Sequence, residues 1–118
     1  MNKTQELALN WLISQGYKKQ DIVFRQGSPC FSVKDKKFDV KRFYGNQIIF
    51  YNNQYIQLKK NLNTIILIFR DNETEPYLKI NFNEIKNLPS NYKGVELNWV
   101  DINNNVKTIR VSEKTKGR

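Results

Sequence analysis

Ser28-Pro29-Cys30-Phe31-Ser32-Val33-Lys34-Asp35-Lys36-Lys37-Phe38-Asp39-Val40-Lys41-Arg42 reads as two short strands joined by a tight polar turn. With the turn at Asp35-Lys36, Val33 faces Phe38 and Phe31 faces Val40, so the apolar side chains share one face of the hairpin. The other face then pairs Ser32 with Asp39 and Cys30 with Lys41. A slip of one residue would scramble this sorting, so the apolar pattern constrains the register. Asp35-Lys36 is not an Asn-Gly or Asp-Gly loop, which leaves a longer turn open. A carboxylate and an amine, Asp39 and Lys41, stand two residues apart on one face.

The flanking sequence supplies the rest of one domain. Residues 3–15 read as a helix, with Leu7 and Trp11, and Ala8 and Leu12, as i,i+4 pairs on an apolar stripe. Gly16 is its stop. Residues 21–25 are a strand, and the polar bend 26–29 leads into the hairpin. Residues 43–46 form a loop, and 47–51 a short strand before a helix over about 53–62. Residues 64–70 are a continuous, β-branched apolar run, as expected of a strand buried on both faces in the middle of a mixed sheet. An outer strand over 76–81, a short helix over 82–88 stopped by Pro89, and a hairpin of 95–100 with 106–111 complete the chain. This order predicts an α/β or α+β fold, a central mixed sheet flanked by helices. The domain is expected to span 1–111, with 112–118 a basic tail.

Composition narrows the chemistry. There is no histidine and one cysteine, which excludes an internal disulfide, a zinc site and histidine-based catalysis. A hard cation held by carboxylates remains open. No run of apolar residues is long enough to span a bilayer, and Gln5, Glu6 and Asn10 interrupt any signal-like segment, so a cytoplasmic protein with no membrane partner is expected. A formal charge of +9 on 118 residues points to a polyanionic partner, nucleic acid before membrane. The plainer alternative is that the charge serves solubility.

The hairpin resembles the core of the PD-(D/E)XK nuclease superfamily, and looks most like its small archaeal Holliday junction resolvase-like members. In that family an acid follows a proline at the start of one strand, and Asp/Glu-X-Lys lies on the next. Asp39-Val40-Lys41 matches the second half; Pro29-Cys30 matches the first in position only, with cysteine where aspartate is expected. The resemblance covers roughly the first half of the chain and implies a restriction-endonuclease-like core of helix, three-stranded meander, helix and strand. It implies Asp39 as a magnesium or manganese ligand, the Val40 carbonyl as another, and Lys41 as the ammonium beside the attacking water. It further implies Glu6 as a third acid from the first helix, and Gln54 as a residue that orients the site. The plainer alternatives are a helix-dipole carboxylate for Glu6 and a solvent-facing helical glutamine for Gln54.

Cys30 divides the readings. A thiol suits magnesium poorly. Either catalysis is lost and DNA binding kept, or Glu6 and Asp39 hold a weaker working site, or the cysteine replaces an aspartate to trap an inactive form. A free thiol filling a gap beside the sheet is the structural alternative. Lys37, Arg42 and Tyr44 beside the hairpin, and Lys18 and Lys19 after the first helix, are the expected DNA contacts, reading phosphate rather than sequence. Tyr51 and Tyr55 are candidates for base stacking, with core packing the better fit for one of them. The leading expectation is a metal-dependent DNA endonuclease, acting on branched DNA as a homodimer. The second is a non-catalytic DNA-binding protein on the same fold, and the third a basic α+β interaction module.

Overall fold

Helix α1, Lys3–Ser14, begins at a reciprocal cap: Asn2 Oδ1 accepts from the Gln5 N–H at 2.8 Å, and Gln5 Oε1 accepts from the Asn2 N–H at 2.9 Å. Gly16, at φ +100°, ends it in a left-handed conformation that glycine adopts without a Cβ penalty. Its stripe buries Ala8 and Leu12 completely. The computed structural model describes residues 1–43, 47–86, 95–100 and 106–111, the last two segments and Gln47 by backbone alone. The 44–46 and 103–105 turns, Leu88, Pro89 and the tail at 112–118 lie outside the described residues.

Strands β1 (Ile22–Phe24), β2 (Phe31–Val33) and β3 (Lys36–Arg42) form an antiparallel meander. The β2–β3 register differs from the expected one by two residues. Phe31 pairs with Phe38, Ser32 with Lys37 and Val33 with Lys36, and the turn is Lys34-Asp35. Lys34 takes φ 55°, the left-handed region, which lets the loop close in two residues without a glycine or asparagine to announce it. A shift of two preserves every face and changes every neighbour. Continued by one residue, the observed register brings Cys30 alongside Asp39, not Lys41.

Strand β4 (Gln47–Phe50) leads to α2, Asn52–Lys59, which is shorter than the sequence suggests. The chain turns at Asn61, whose carbonyl accepts from the Thr64 N–H at 3.1 Å and hydroxyl at 2.7 Å. Strand β5 (Ile65–Phe69) then pairs parallel to β3, Asp39 lying opposite Ile66 and Lys41 opposite Ile68. Strand β6 (Leu78–Asn81) closes the sheet as the expected outer strand. Of the helix expected over 82–88, the described residues 82–86 hold a 3-10 turn, Phe82–Glu84. The Ile85 carbonyl is bound by the Tyr55 hydroxyl at 2.9 Å, which ties the chain to the core there. Strands β7 (Val95–Val100) and β8 (Val106–Val111) form the expected hairpin, and β8 pairs parallel with β4.

The result is a mixed α/β fold. Its five-stranded sheet runs in the order β1-β2-β3-β5-β6 and is flanked by two helices; β4-β8-β7 make a second sheet. Alternation along β5 shows which helix covers which face. Leu67 and Phe69 pack with Ala8 and Leu12 of α1, while Ile66 and Ile68 pack with Tyr55 and Leu58 of α2. Each buried leucine, isoleucine and phenylalanine of this set contributes about 1.5–3 kcal/mol of transfer free energy.

The register generates a test with a sign. Holding lysine left-handed costs about 1 kcal/mol, so Lys34→Gly is expected to raise the urea midpoint. With the turn at Asp35-Lys36 instead, residue 34 would be an ordinary strand position and glycine would lower the midpoint.

Candidate functional site

Period-two alternation along β3 builds the site. Phe38 and Val40 face α1, so Asp39 and Lys41 face α2. There the Lys41 ammonium donates to Gln54 Oε1 at 2.6 Å. The same oxygen accepts from the Tyr51 N–H at 3.3 Å, which fixes Gln54 at the start of the helix. The Lys41 Nζ also lies 5.0 Å from the Phe50 ring centroid, a cation–π contact. Neither Phe50 nor the Gln54 bond to Lys41 is visible in the sequence, though the resemblance had singled out Gln54 as an orienting residue.

Asp39 is only 3% exposed. Burial pushes its pKa up from the usual carboxylate value, against the opposing pull of the Lys41 charge, the Val40 N–H, the Ser28 hydroxyl and the Cys30 thiol. Its Oδ2 has no hydrogen-bond partner. Cys30, 1% exposed, has its pKa pushed far up, first by burial and then by the Asp39 carboxylate. Its sulfur also lies 4.0 Å from the Phe38 carbonyl oxygen. Burial and the neighbouring carboxylate thus favour the neutral thiol, which is directed at the Phe38 carbonyl. Ser28 is a member of the site that the sequence reading missed; its one signal is its place directly before Pro29.

The structure thus joins Lys41 to Gln54 on the α2 side and sets Asp39 beside Cys30, which itself packs in the α1-side core with Ala8 and Leu12. Glu6 is exposed on α1, the helix that covers the opposite face of the sheet. Val40 lies opposite Leu67 in the β3–β5 ladder. Lys37 is exposed near the hairpin tip, its Nζ donating to Asn61 Oδ1 at 2.6 Å. Arg42 forms an ion pair with Asp71. Lys18 and Lys19 are exposed beyond the end of α1, and Tyr44 lies outside the described residues. Tyr55 is buried in the core, and Tyr51 is half-buried.

The donor set bears on a hard cation directly. Asp39 Oδ2 is a buried oxygen with no partner, which suits magnesium or manganese. The Cys30 thiol is soft and protonated, which does not. Among the described residues no three His, Cys, Asp or Glu side chains are grouped to hold a metal. The one carboxylate here, Asp39, is thus flanked by a soft thiol where a second hard acid would suit magnesium better. No protein-family model matches the chain, and neither a curated protein nor a solved structure does.

Burial of Asp39 fixes the sign of a pH effect. Its pKa is higher folded than unfolded, so the unfolded chain gives up this proton first. Stability contributed at this position is therefore lost as pH rises from the ordinary carboxylate range through the raised folded value. In urea titrations across pH, Asp39→Asn is expected to gain stability relative to wild type as pH rises. A constant difference between the two would place an ordinary, solvated carboxylate at Asp39.

Proposed function

We propose that this chain is a DNA-binding protein on a PD-(D/E)XK-like fold whose hydrolytic site is disabled at Cys30. One observation carries the reading: at the position where the resemblance puts the first acid, a buried cysteine stands in register with the buried Asp39. Supporting it, the element order α1, antiparallel meander, α2 and a strand parallel to β3, with β4 inserted before α2, resembles the order expected of the nuclease core. Asp39, Lys41 and Gln54 lie on the single face where that core carries its chemistry. The charge of +9 supplies the attraction to a polyanion. Among the described residues no helix is long and apolar enough to cross a membrane, and a cytoplasmic, DNA-bound protein accords with that.

A second reading, a metal-dependent DNA endonuclease using magnesium or manganese, is favoured by the unpartnered Asp39 Oδ2 beside Lys41. A homodimer belongs with that reading, because cutting two strands of branched DNA calls for two sites.

Gel retardation and cleavage of linear and four-way-junction DNA, with magnesium or manganese, separate the two. Wild type is expected to retard DNA without cutting it. Cys30→Asp is expected to cut, to lose cutting when Lys41→Ala is added, and to gain thermal stability on manganese addition, which wild type does not. Cutting by wild type that disappears in Lys41→Ala would establish the second reading. Absence of any retardation would leave only a basic interaction module.

A further inference from the structure

The cleft at the far end of β3 from the hairpin turn has no part in the site above. It has a volume of about 290 Å³ and opens between the first turns of α1 and the C-terminal ends of β3 and β5. Lys3 comes from α1, Arg42 from the end of β3, and Arg70 from the residue after β5. Leu7 and Phe69 line it between them. Asp71 is the one acid in the lining.

We propose that this cleft is a phosphate subsite for a nucleic-acid backbone, with Lys3, Arg42 and Arg70 as its cations. The proposal rests on the DNA-binding reading and names where one part of the backbone sits. Three cations converge from three separate elements, so the fold, and not a run of sequence, assembles the charge. Arg70 is held in place. Its guanidinium lies 3.7 Å from the Tyr77 ring centroid, its Nε donates to Glu73 at 3.0 Å, and its Nη2 donates to the second oxygen of the same carboxylate. A guanidinium fixed in this way loses little freedom when it binds a phosphate oxygen. Arg42 is paired with Asp71, but both side chains are about half exposed or more, at 47% and 63%. Such a pair is weak enough for a phosphate to share or displace. With Asp71 and Glu73 both set against the three cations, one positive charge remains.

The position suits a backbone better than a small free anion. The cleft is open at the surface, and the C-terminal ends of parallel strands are where α/β sheets expose a crevice. Arg42 directly follows Lys41, so the cleft begins one strand residue from the candidate site, on the α1 side of the sheet.

The test is the salt dependence of DNA binding, read by fluorescence anisotropy of labelled single-stranded and duplex DNA. Lys3→Gln/Arg70→Gln is compared with Lys34→Gln/Lys60→Gln, an equal loss of charge at exposed positions away from the cleft. The cleft variant is expected to lower the slope of log K against log salt by about two, and the control variant to leave it near wild type. Lys3→Gln alone, at an exposed helix position, is expected to lower it by about one, which keeps the test sound if Arg70→Gln disturbs folding. Equal losses in the cleft and control variants would reduce the effect to net charge and overturn the subsite. Binding by wild type that the cleft variants leave intact would also overturn it while sparing the DNA-binding reading. Failure of wild type to bind DNA would fell both. A parallel titration with inorganic phosphate, followed by amide shifts of residues 3–7 and 70–72, distinguishes the source. Saturable shifts there without DNA binding would assign the cleft to free phosphate and overturn the nucleic-acid assignment.

Discussion

Side-chain alternation along β3 is the constraint on which the structure turns. The strand is covered on both faces, by α1 over Phe38 and Val40 and by α2 over its neighbour's Ile66 and Ile68. A strand so placed would ordinarily be apolar throughout. Asp39 and Lys41 break that rule on the α2 face, and the surroundings respond to them. Gln54 takes the ammonium, and Ser28, Cys30 and the Val40 N–H act on the carboxylate. The compensation is partial, since Asp39 Oδ2 has no partner and burial still raises the pKa. A buried polar pair that costs stability belongs among candidate functional groups.

Cys30 makes the rest intelligible. Two carboxylates in contact repel unless a cation lies between them or one takes up a proton. A thiol at the same place carries no charge when burial keeps it protonated, and fills the volume. The interior therefore tolerates Asp39 without a metal. Cysteine at this place also withholds, under the proposed function, a hard oxygen that magnesium would use. Under the proposed function, the fold and its basic surface are retained, and the cation-dependent step is what has gone.

The sequence carried the elements better than their partners. The helix of residues 3–15 and the β-branched run of β5 had strong periodicity or composition, the outer strand β6 and the β7–β8 hairpin weaker patterns, and the structure has all of them at or near those bounds. The hairpin's faces were legible because Phe31, Val33, Phe38 and Val40 sort by parity. Its register was not, because the left-handed residue is Lys34 and lysine gives no turn signal. That two-residue difference decides whether Cys30 lies beside Lys41 or Asp39, so the central contact of the site was out of reach. The pairing of β4 with β8 joins strands far apart in sequence, and no local pattern encodes it. Where a helix was expected from residue 82, the described residues make a 3-10 turn, after which the Tyr55 hydroxyl holds the Ile85 carbonyl, a tertiary contact that no local pattern announces. The cleft of Lys3, Arg42 and Arg70 is likewise a product of topology.

The most direct measurement is the pH titration of the Asp39 side-chain carboxyl carbon by NMR in the intact protein. The account expects its midpoint to lie above the ordinary carboxylate value of 3.8, because burial beside Cys30 outweighs the pull of Lys41. A midpoint at or below that value would mean a solvated or fully compensated carboxylate. It would contradict the buried Cys30–Asp39 contact on which the proposed function stands.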